Sequence, residues 1–301
     1  MTDDIAVAVI CHDAGGAEIL SNWVVRQSSP YILVLEGPSK SIFERKLGAH
    51  VTCSLDEAIE NADWVLTGTS WQSDIEIQAI KLARQKNKKS VSFLDHWVNY
   101  QERFKSAGEL ILPDEIWVGD EDAFRIAGRT FPGHKIKLKP NPYFENMAFQ
   151  IEKLKRNSLD TLSEKKILYV CSPVKEHAKL KYGDELYWEF TEEDAVRYFM
   201  ANVHLLNHST GKVVLRPHPS EENGKYDWAT TEFAPDILIG GEQDLLDEIA
   251  NADIVAGFNS MAMVIGLIAG KRIINALPPG KIVNTLPMKK IEQLSDIAKN
   301  Q

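Results

Sequence analysis

Apolar residues along this chain alternate between short unbroken runs and stretches in which they recur at helical spacing. Ile5–Cys11 (IAVAVIC) is the first run, rich in Val and Ile, the pattern of a strand buried on both faces of a parallel sheet. His12-Asp13-Ala14-Gly15-Gly16 follows, and from Ala17 the spacing of Ile19, Leu20, Trp23 and Val24 turns helical. The same alternation predicts strands at Tyr31–Leu35, His50–Cys53, Trp64–Thr67, Ser90–Leu94, Glu115–Val118 and Lys135–Lys139. Helices at Ser41–Leu47, Leu55–Asn61 (Ser54 as N-cap), Ile75–Gln85 and Glu121–Ala127 fall between them. Strands that alternate with helices imply a doubly wound parallel sheet, whose ligands bind beyond the carboxyl ends of the strands.

Pro140-Asn141-Pro142 ends this series. A polar helical stretch over Gln150–Arg156 and a segment, Asn157–Lys165, whose large apolar residues are Leu159 and Leu162, read as a connection. Residues 1–141 then form one domain, 142–165 a linker and 166–301 a second domain. The pattern restarts with a strand at Ile167–Cys171, a mixed-charge loop over 174–187 that could serve as a lid, and a helix opened by the capping box Thr191/Asp194 and carrying Val196, Phe199, Met200, Val203 and Leu206. Strands at Lys212–Leu215, Ile237–Ile239, Asp253–Ala256 and Arg272–Asn275 follow, with helices at Leu245–Ala252 and Met261–Ala269. A last helix, Ile291–Ala298, is free to pack on either domain. The fold class is α/β, with two Rossmann-like doubly wound domains.

Composition agrees and narrows the partners. A chain of 301 residues, 44% apolar and 26% charged, suits two domains of this size. With 43 acidic against 34 basic residues and a net charge of −9, it lacks the cationic footprint that nucleic acid requires. Cys11, Cys53 and Cys171 are odd in number and lie within apolar runs, which fits a reducing compartment better than a disulfide framework. The N-terminus is acidic where a signal peptide is basic, and no apolar run approaches the ~18 residues of a membrane span. A cytoplasmic protein without an integral membrane segment is expected. Peripheral membrane contact and oligomeric state stay open.

Three strand-end loops carry candidate chemistry. In the first, Gly15 and Gly16 let backbone approach a ligand, and Asp13 stands where a general base would reach a bound hydroxyl. The alternative is a turn in which the glycines supply positive φ and Asp13 caps the helix. In the second, Arg216-Pro217-His218-Pro219-Ser220, two prolines hold an imidazole rigidly beside a guanidinium whose donor fork suits phosphate; otherwise His218 closes a turn and Arg216 pairs with a surface carboxylate. In the third, Gly257-Phe258-Asn259-Ser260 puts small donors at the start of an apolar helix, an anion site or a simple N-cap.

These features together resemble the GT-B glycosyltransferases, and within them the bacterial sialyltransferases and related capsule and lipooligosaccharide transferases. The resemblance implies two domains facing across a cleft, with transfer of a sugar from a nucleotide-sugar donor, such as a CMP-sialic-acid-like one, to a glycan hydroxyl. On this likeness Asp13 matches the catalytic base, His218-Pro219 the phosphate-binding His-Pro motif, and Ser260 one member of a hydroxyl pair. Two departures stand out: His12 precedes Asp13 where the family has a second acid, and Asn259 replaces a hydroxyl. Catalysis would fall to Asp13 and His218, and donor binding to Arg216, Pro219, Ser220, Asn259, Ser260 and Ser172. Domain closure would bring the two sets together.

His12, Gly15, Gly16, Asp95, His96 and Trp97 are the candidate acceptor wall, since aromatic faces and short polar groups suit sugars. Trp97 and Tyr100 could equally be packing, and Trp117 reads as core. His204/His208 lack an evident third ligand, so no metal or other cofactor is expected, the nucleotide sugar being a co-substrate. A nucleotide-sugar 2-epimerase or hydrolase on the same fold, and a non-catalytic sugar-nucleotide binding protein, are the competing readings.

Overall fold

The structure, a computed structural model, describes residues 5–157, 166–206 and 212–299. The chain divides into two compact units, Met1–Asn146 and Met147–Gln301.

The first unit opens with β1 (Val7–Cys11), every residue of which is buried. Alternate side chains serve opposite faces, as strand geometry requires. Val7, Val9 and Cys11 pack on one side with Ile19, Leu20 and Val24 of α1 (Ala14–Val25) and Phe43 of α2 (Ser39–Leu47). Ala8 and Ile10 pack on the other with α3 (Leu55–Asn61) and α4 (Ile75–Gln85). With β2 (Tyr31–Leu35), β3 (Trp64–Thr67) and β4 (Lys89–Leu94), a small hairpin β5 (Lys105–Ser106) and β6 (Glu109–Leu110), β7 (Glu115–Val118), α5 (Glu121–Thr130) and β8 (Ile136–Leu138), the unit forms a six-stranded parallel sheet ordered β2-β1-β3-β4-β7-β8 beside the hairpin. The strand expected at His50–Cys53 is reduced to one parallel bridge, Leu33↔Thr52, at the outer side of β2. Val51 is exposed there and no second strand covers it, so nothing extends the pairing. Trp117 is half-buried, within an aromatic row of Trp23, Trp64 and Phe93.

On β7, one strand in from the edge, the Glu115 carboxylate, almost wholly buried, gathers Lys89, Lys135 and Lys137 at 2.6–2.9 Å. Burial opposes ionisation of Glu115, but hydrogen bonds from the three lysines and Trp117 hold its carboxyl far below the usual carboxylate range.

Helix α6 (Pro142–Asn157) occupies much of the stretch read as a linker. Pro142 begins it, and the Asn141 side chain accepts from the Tyr143 and Phe144 N–H groups, so the turn that ends the β8 segment also starts a helix. The rest of the linker, 158–165, lies outside the described residues, as does His208.

The second unit repeats the plan with β9 (Ile167–Val170), α7 (Val174–Tyr182), α8 (Glu192–Asn202), β10 (Val213–Arg216), α9 (Asp227–Glu232), β11 (Ile237–Ile239), α10 (Leu245–Asn251), β12 (Ile254–Gly257), α11 (Met261–Ile268), β13 (Arg272–Asn275), β14 (Ile291–Gln293) and α12 (Leu294–Lys299). Its sheet is parallel, in the order β11-β10-β9-β12-β13-β14. The predicted capping box at Thr191 and Asp194 is formed.

Two expectations change here. The loop over 174–187, considered as a lid, begins as α7 and is stopped by Gly183 in the left-handed region at φ 75°. Only Val174 and Ala178 of this helix are buried, too sparse an apolar stripe for periodicity to reveal. The expected C-terminal helix starts as β14, because Ile291–Gln293 pairs in register with Ile273–Asn275. Leu294 and Ile297 of α12 join the second unit's own core, so the last helix belongs to that unit.

Candidate active site at the strand ends

In each sheet the strand order reverses beside the central strand, between β1 and β3 in the first unit and between β9 and β12 in the second. Successive crossovers leave in opposite directions there and open a crevice at the carboxyl ends. The candidate residues gather at these two places.

In the first unit Asp13 occupies the N-cap position of α1 but makes no capping bond. Its carboxylate is drawn instead to the loop after β3: Oδ1 accepts from the Ser70 hydroxyl at 2.7 Å and Oδ2 from the Trp71 N–H at 2.9 Å. Oδ1 also lies 2.7 Å from Nδ1 of His12. Burial raises the Asp13 carboxyl, but the hydrogen bonds from Ser70, His12 and Trp71 outweigh it and leave it below its ordinary value. Asp13 is therefore a fixed, ionised carboxylate at neutral pH. Gly15 and Gly16 lie within α1 and serve close approach rather than positive φ: a Cβ on Gly15 would sit 1.9 Å from Asp95 Oδ2, and one on Gly16 3.3 Å from Cys11 Sγ.

Asp95, His96 and Trp97 do reach this end of the sheet, yet the expected acceptor wall is mostly turned inward. Asp95, its side chain 8% exposed, is committed to Arg103 at 2.6 Å, with Thr69 as a second donor. Trp97 is 4% exposed, its indole N–H donating to Asp120 at 2.9 Å, and Tyr100 is likewise buried. The packing alternative is the one the structure holds for both aromatics. Bulky apolar rings on a polar loop find more area to bury in the core than on the surface.

The exposed aromatic is Trp71, half open to solvent, its ring 5.5 Å from the Arg103 guanidinium. Sequence reading missed it together with Ser70, Arg103 and Glu76. The Thr67-Gly68-Thr69-Ser70-Trp71 run after a predicted strand was the available signal. Glu76, in the first turn of α4, is 3% exposed; Oε1 accepts from the His12 N–H at 2.8 Å while Oε2 has no partner among the described residues. Burial, with smaller repulsion from Asp13 and Asp95, pushes its carboxyl up to about 8 against hydrogen bonds that lower it, so it carries a proton at neutral pH.

In the second unit a cavity of about 640 Å³ opens between the ends of β9, β10 and β12. Ser172, Arg216, His218, Pro219, Asn259 and Ser260 all line it; Ser220, expected with them, does not, and its hydroxyl lies 2.8 Å from Nδ1 of His218. The His218 loop is held by more than its prolines: the Glu221 carboxylate accepts from the His218 N–H at 2.8 Å, from Lys225 at 2.9 Å and from the Tyr226 hydroxyl at 2.8 Å. The Ser220 N–H donates to Nδ1 of His218 at 3.2 Å, so in the neutral ring the proton sits on Nε2. Burial lowers His218, and His177 adds to this, against raising contributions from Glu221 and Glu176; the ring is neutral at pH 7.

The other candidates divide. Ser260 is the N-cap of α11, accepting from Ala262 N–H at 3.3 Å, with its own proton left to give. Arg216 is tied to Glu248 at 2.6 Å and to the Gln243 carbonyl, the carboxylate pairing that was the alternative reading. Asn259, at φ 51°, uses its amide to hold Val283 and Thr285, and Ser172 donates to the Phe258 carbonyl at 3.3 Å. Trp188 and Tyr182 add aromatic surface to the cavity. Among the described residues no group of three or more His, Cys, Asp or Glu side chains could hold a metal ion, and no helix is long and apolar enough to cross a membrane. His204 lies in a 3₁₀ turn, Val203–Leu206, after α8.

No family model and no curated protein matches the chain. Solved structures do. UDP-GlcNAc 2-epimerase from Neisseria meningitidis, bound to UDP-GlcNAc, aligns over 98% of this chain and 90% of its own, at 13% identity and a TM-score of 0.61. The S. aureus MnaA complex with UDP aligns over 98% and 86%, at 10% identity and 0.59. The glycosyltransferase SnogD from Streptomyces nogalater aligns over 99% and 84%, at 9% identity and 0.50. At these identities the likeness is one of fold. The chain has the GT-B architecture, two Rossmann-like units with six-stranded parallel sheets, which epimerases and glycosyltransferases share.

Proposed function

We propose that this chain is a GT-B glycosyltransferase that moves a sugar from a nucleotide-sugar donor to a hydroxyl of a glycan acceptor in surface polysaccharide or glycoconjugate synthesis. The observation that carries the reading is the second-unit cavity, where His218 Nε2–H, the Ser260 hydroxyl and the first turn of α11 offer donors to an anion. They would stabilise the charge that develops on the leaving phosphate. Trp188 and Tyr182 supply flat surface for a base.

The first unit supplies the other half of the chemistry. Asp13 is fixed in direction by Ser70 and Trp71, and its ionised carboxylate accepts the acceptor's proton, directly or through His12. Trp71, exposed beside it, replaces Trp97 as the aromatic surface for a sugar. The likeness of His218-Pro219 and Ser260 to the motifs of CMP-sugar transferases supports a nucleotide donor.

A 2-epimerase is the second reading, favoured by one observation: Asp13 and Glu76 are carboxyl groups of the same strand-end cluster held in opposite protonation states, the arrangement acid–base chemistry uses. Its weakness is that Glu76 is sealed from substrate.

Thermal shift against CMP, CDP, UDP and GDP tests the donor site, because a bound nucleotide raises the melting temperature. Asp13→Ala should keep that shift and lose most of the transfer rate, and His218→Ala should lose the shift. Epimer or free sugar formed from donor at full rate without acceptor would replace the transferase reading by the second one. Loss of nucleotide binding in Asp13→Ala, with His218→Ala silent, would overturn the division of labour between the units.

A further inference from the structure

The donor groups expected from the sequence leave part of the second-unit cavity unexplained. Arg216 and the Asn259 amide are engaged by protein, which leaves His218, Ser260 and the start of α11 for one phosphate. Yet two further basic side chains, His177 and Lys181, line the cavity from α7, four residues apart and so on one face of the helix. The His177 ring stands 6.3 Å from that of His218, centroid to centroid, and makes no side-chain hydrogen bond among the described residues.

The lysines of α7 differ in a telling way. Lys175 pairs with Glu193 at 2.8 Å and Lys179 with Glu185 at 2.7 Å. Lys181, on the cavity side, has no carboxylate partner among the described residues and only the Tyr182 ring beside it, at 5.3 Å. An unneutralised ammonium and an unpartnered imidazole on a concave wall, next to a phosphate-donor set, form a second anion subsite.

Resting on the donor-site reading above, we infer that the donor is a nucleoside diphosphate derivative, one phosphate meeting His218, Ser260 and α11, and the other meeting His177 and Lys181. A donor with a single phosphate leaves Lys181 without counter-charge. A carboxylate on a CMP-linked sugar acid is the other chemical source of a second negative charge, and affinity separates the two.

Calorimetric titration of the full chain with the matched pairs UMP/UDP, CMP/CDP and GMP/GDP, and with a CMP-linked sugar acid, provides the test. One diphosphate should bind about tenfold or more tightly than its own monophosphate. Lys181→Met and His177→Asn, both at exposed positions that spare the core, should each remove most of that advantage and leave monophosphate affinity within about twofold. Equal affinity for mono- and diphosphate, equal weakening of both in the variants, or tightest binding of the CMP-linked sugar acid would overturn the inference while leaving a nucleotide site in place. If no nucleotide binds at all, the donor-site reading falls and takes this inference with it.

Discussion

At the switch point of the first sheet the acidic groups are already provided for. Asp13 is held by Ser70, Trp71 and His12, Asp95 by Arg103 and Thr69, and Glu76 keeps its proton. At the switch point of the second sheet the reverse holds: beside the Nε2 face of His218, His177 and Lys181 line an open cavity with no carboxylate partner among the described residues. The same topology thus carries two states of preparation. A group that must stay fixed while a proton moves is better satisfied in advance, whereas a site for a polyanion keeps its charge unneutralised until the ligand arrives. Net charge hides this, since −9 for the whole chain is compatible with a local cationic site.

The sharpest way to break the contrast is to remove the prearranged base. Asp13→Ala should lower turnover by about 10²–10⁴-fold with nucleotide affinity unchanged, measured by steady-state transfer and calorimetry. A comparable loss of nucleotide affinity would erase the distinction between the units.

Glu76 offers a test by pH. Its carboxyl is raised to about 8 in the fold from an ordinary value of 4.5, so between those values the folded state binds more protons than the unfolded one. Its contribution to stability is therefore full below about 4.5 and lost as pH rises through about 8. Glu76→Gln should flatten that dependence and be the more stable protein above pH 8, by roughly 2–4 kcal/mol, in denaturant titrations at a series of pH values. Parallel curves for the two proteins would show that Glu76 is ionised in the fold.

Gly15→Ala should cost roughly 1–3 kcal/mol, because the new methyl meets Asp95, which Arg103 holds in place. Trp71→Ala should raise acceptor KM about tenfold and leave donor affinity alone, with Trp71→Phe recovering most of the loss. An unchanged acceptor KM would remove Trp71 from the acceptor site. The smallest effect belongs to Ser260→Ala, about 1 kcal/mol of stability from the lost helix cap together with a few-fold loss of nucleotide affinity.

What could be read in advance followed a physical divide. β1 and β9 are legible because strands buried on both faces must be continuously apolar. Asp13 is legible because it stands just beyond β1, and His218 because two prolines flank it just beyond β10. Their partners are not: Ser70 and Trp71 stand 57 and 58 residues from Asp13, and no local pattern encodes a contact at that separation. Trp97 and Trp71 both follow strands on polar loops, so their exchange of roles depends on which ring finds a cavity to fill. Helix α7, and with it His177 and Lys181, was hidden because only two of its residues are buried.

The gathering of Lys89, Lys135 and Lys137 around Glu115 has a consequence for the sheet's open side. Strand β8 is the outermost, three residues long, and flanked by ammonium groups whose common anchor keeps them there. A strand from another molecule that sought to extend the sheet would find little backbone to pair with and would have to dehydrate those charges. The shortness of β8 and the charge beside it thus disfavour extension of the sheet past this strand.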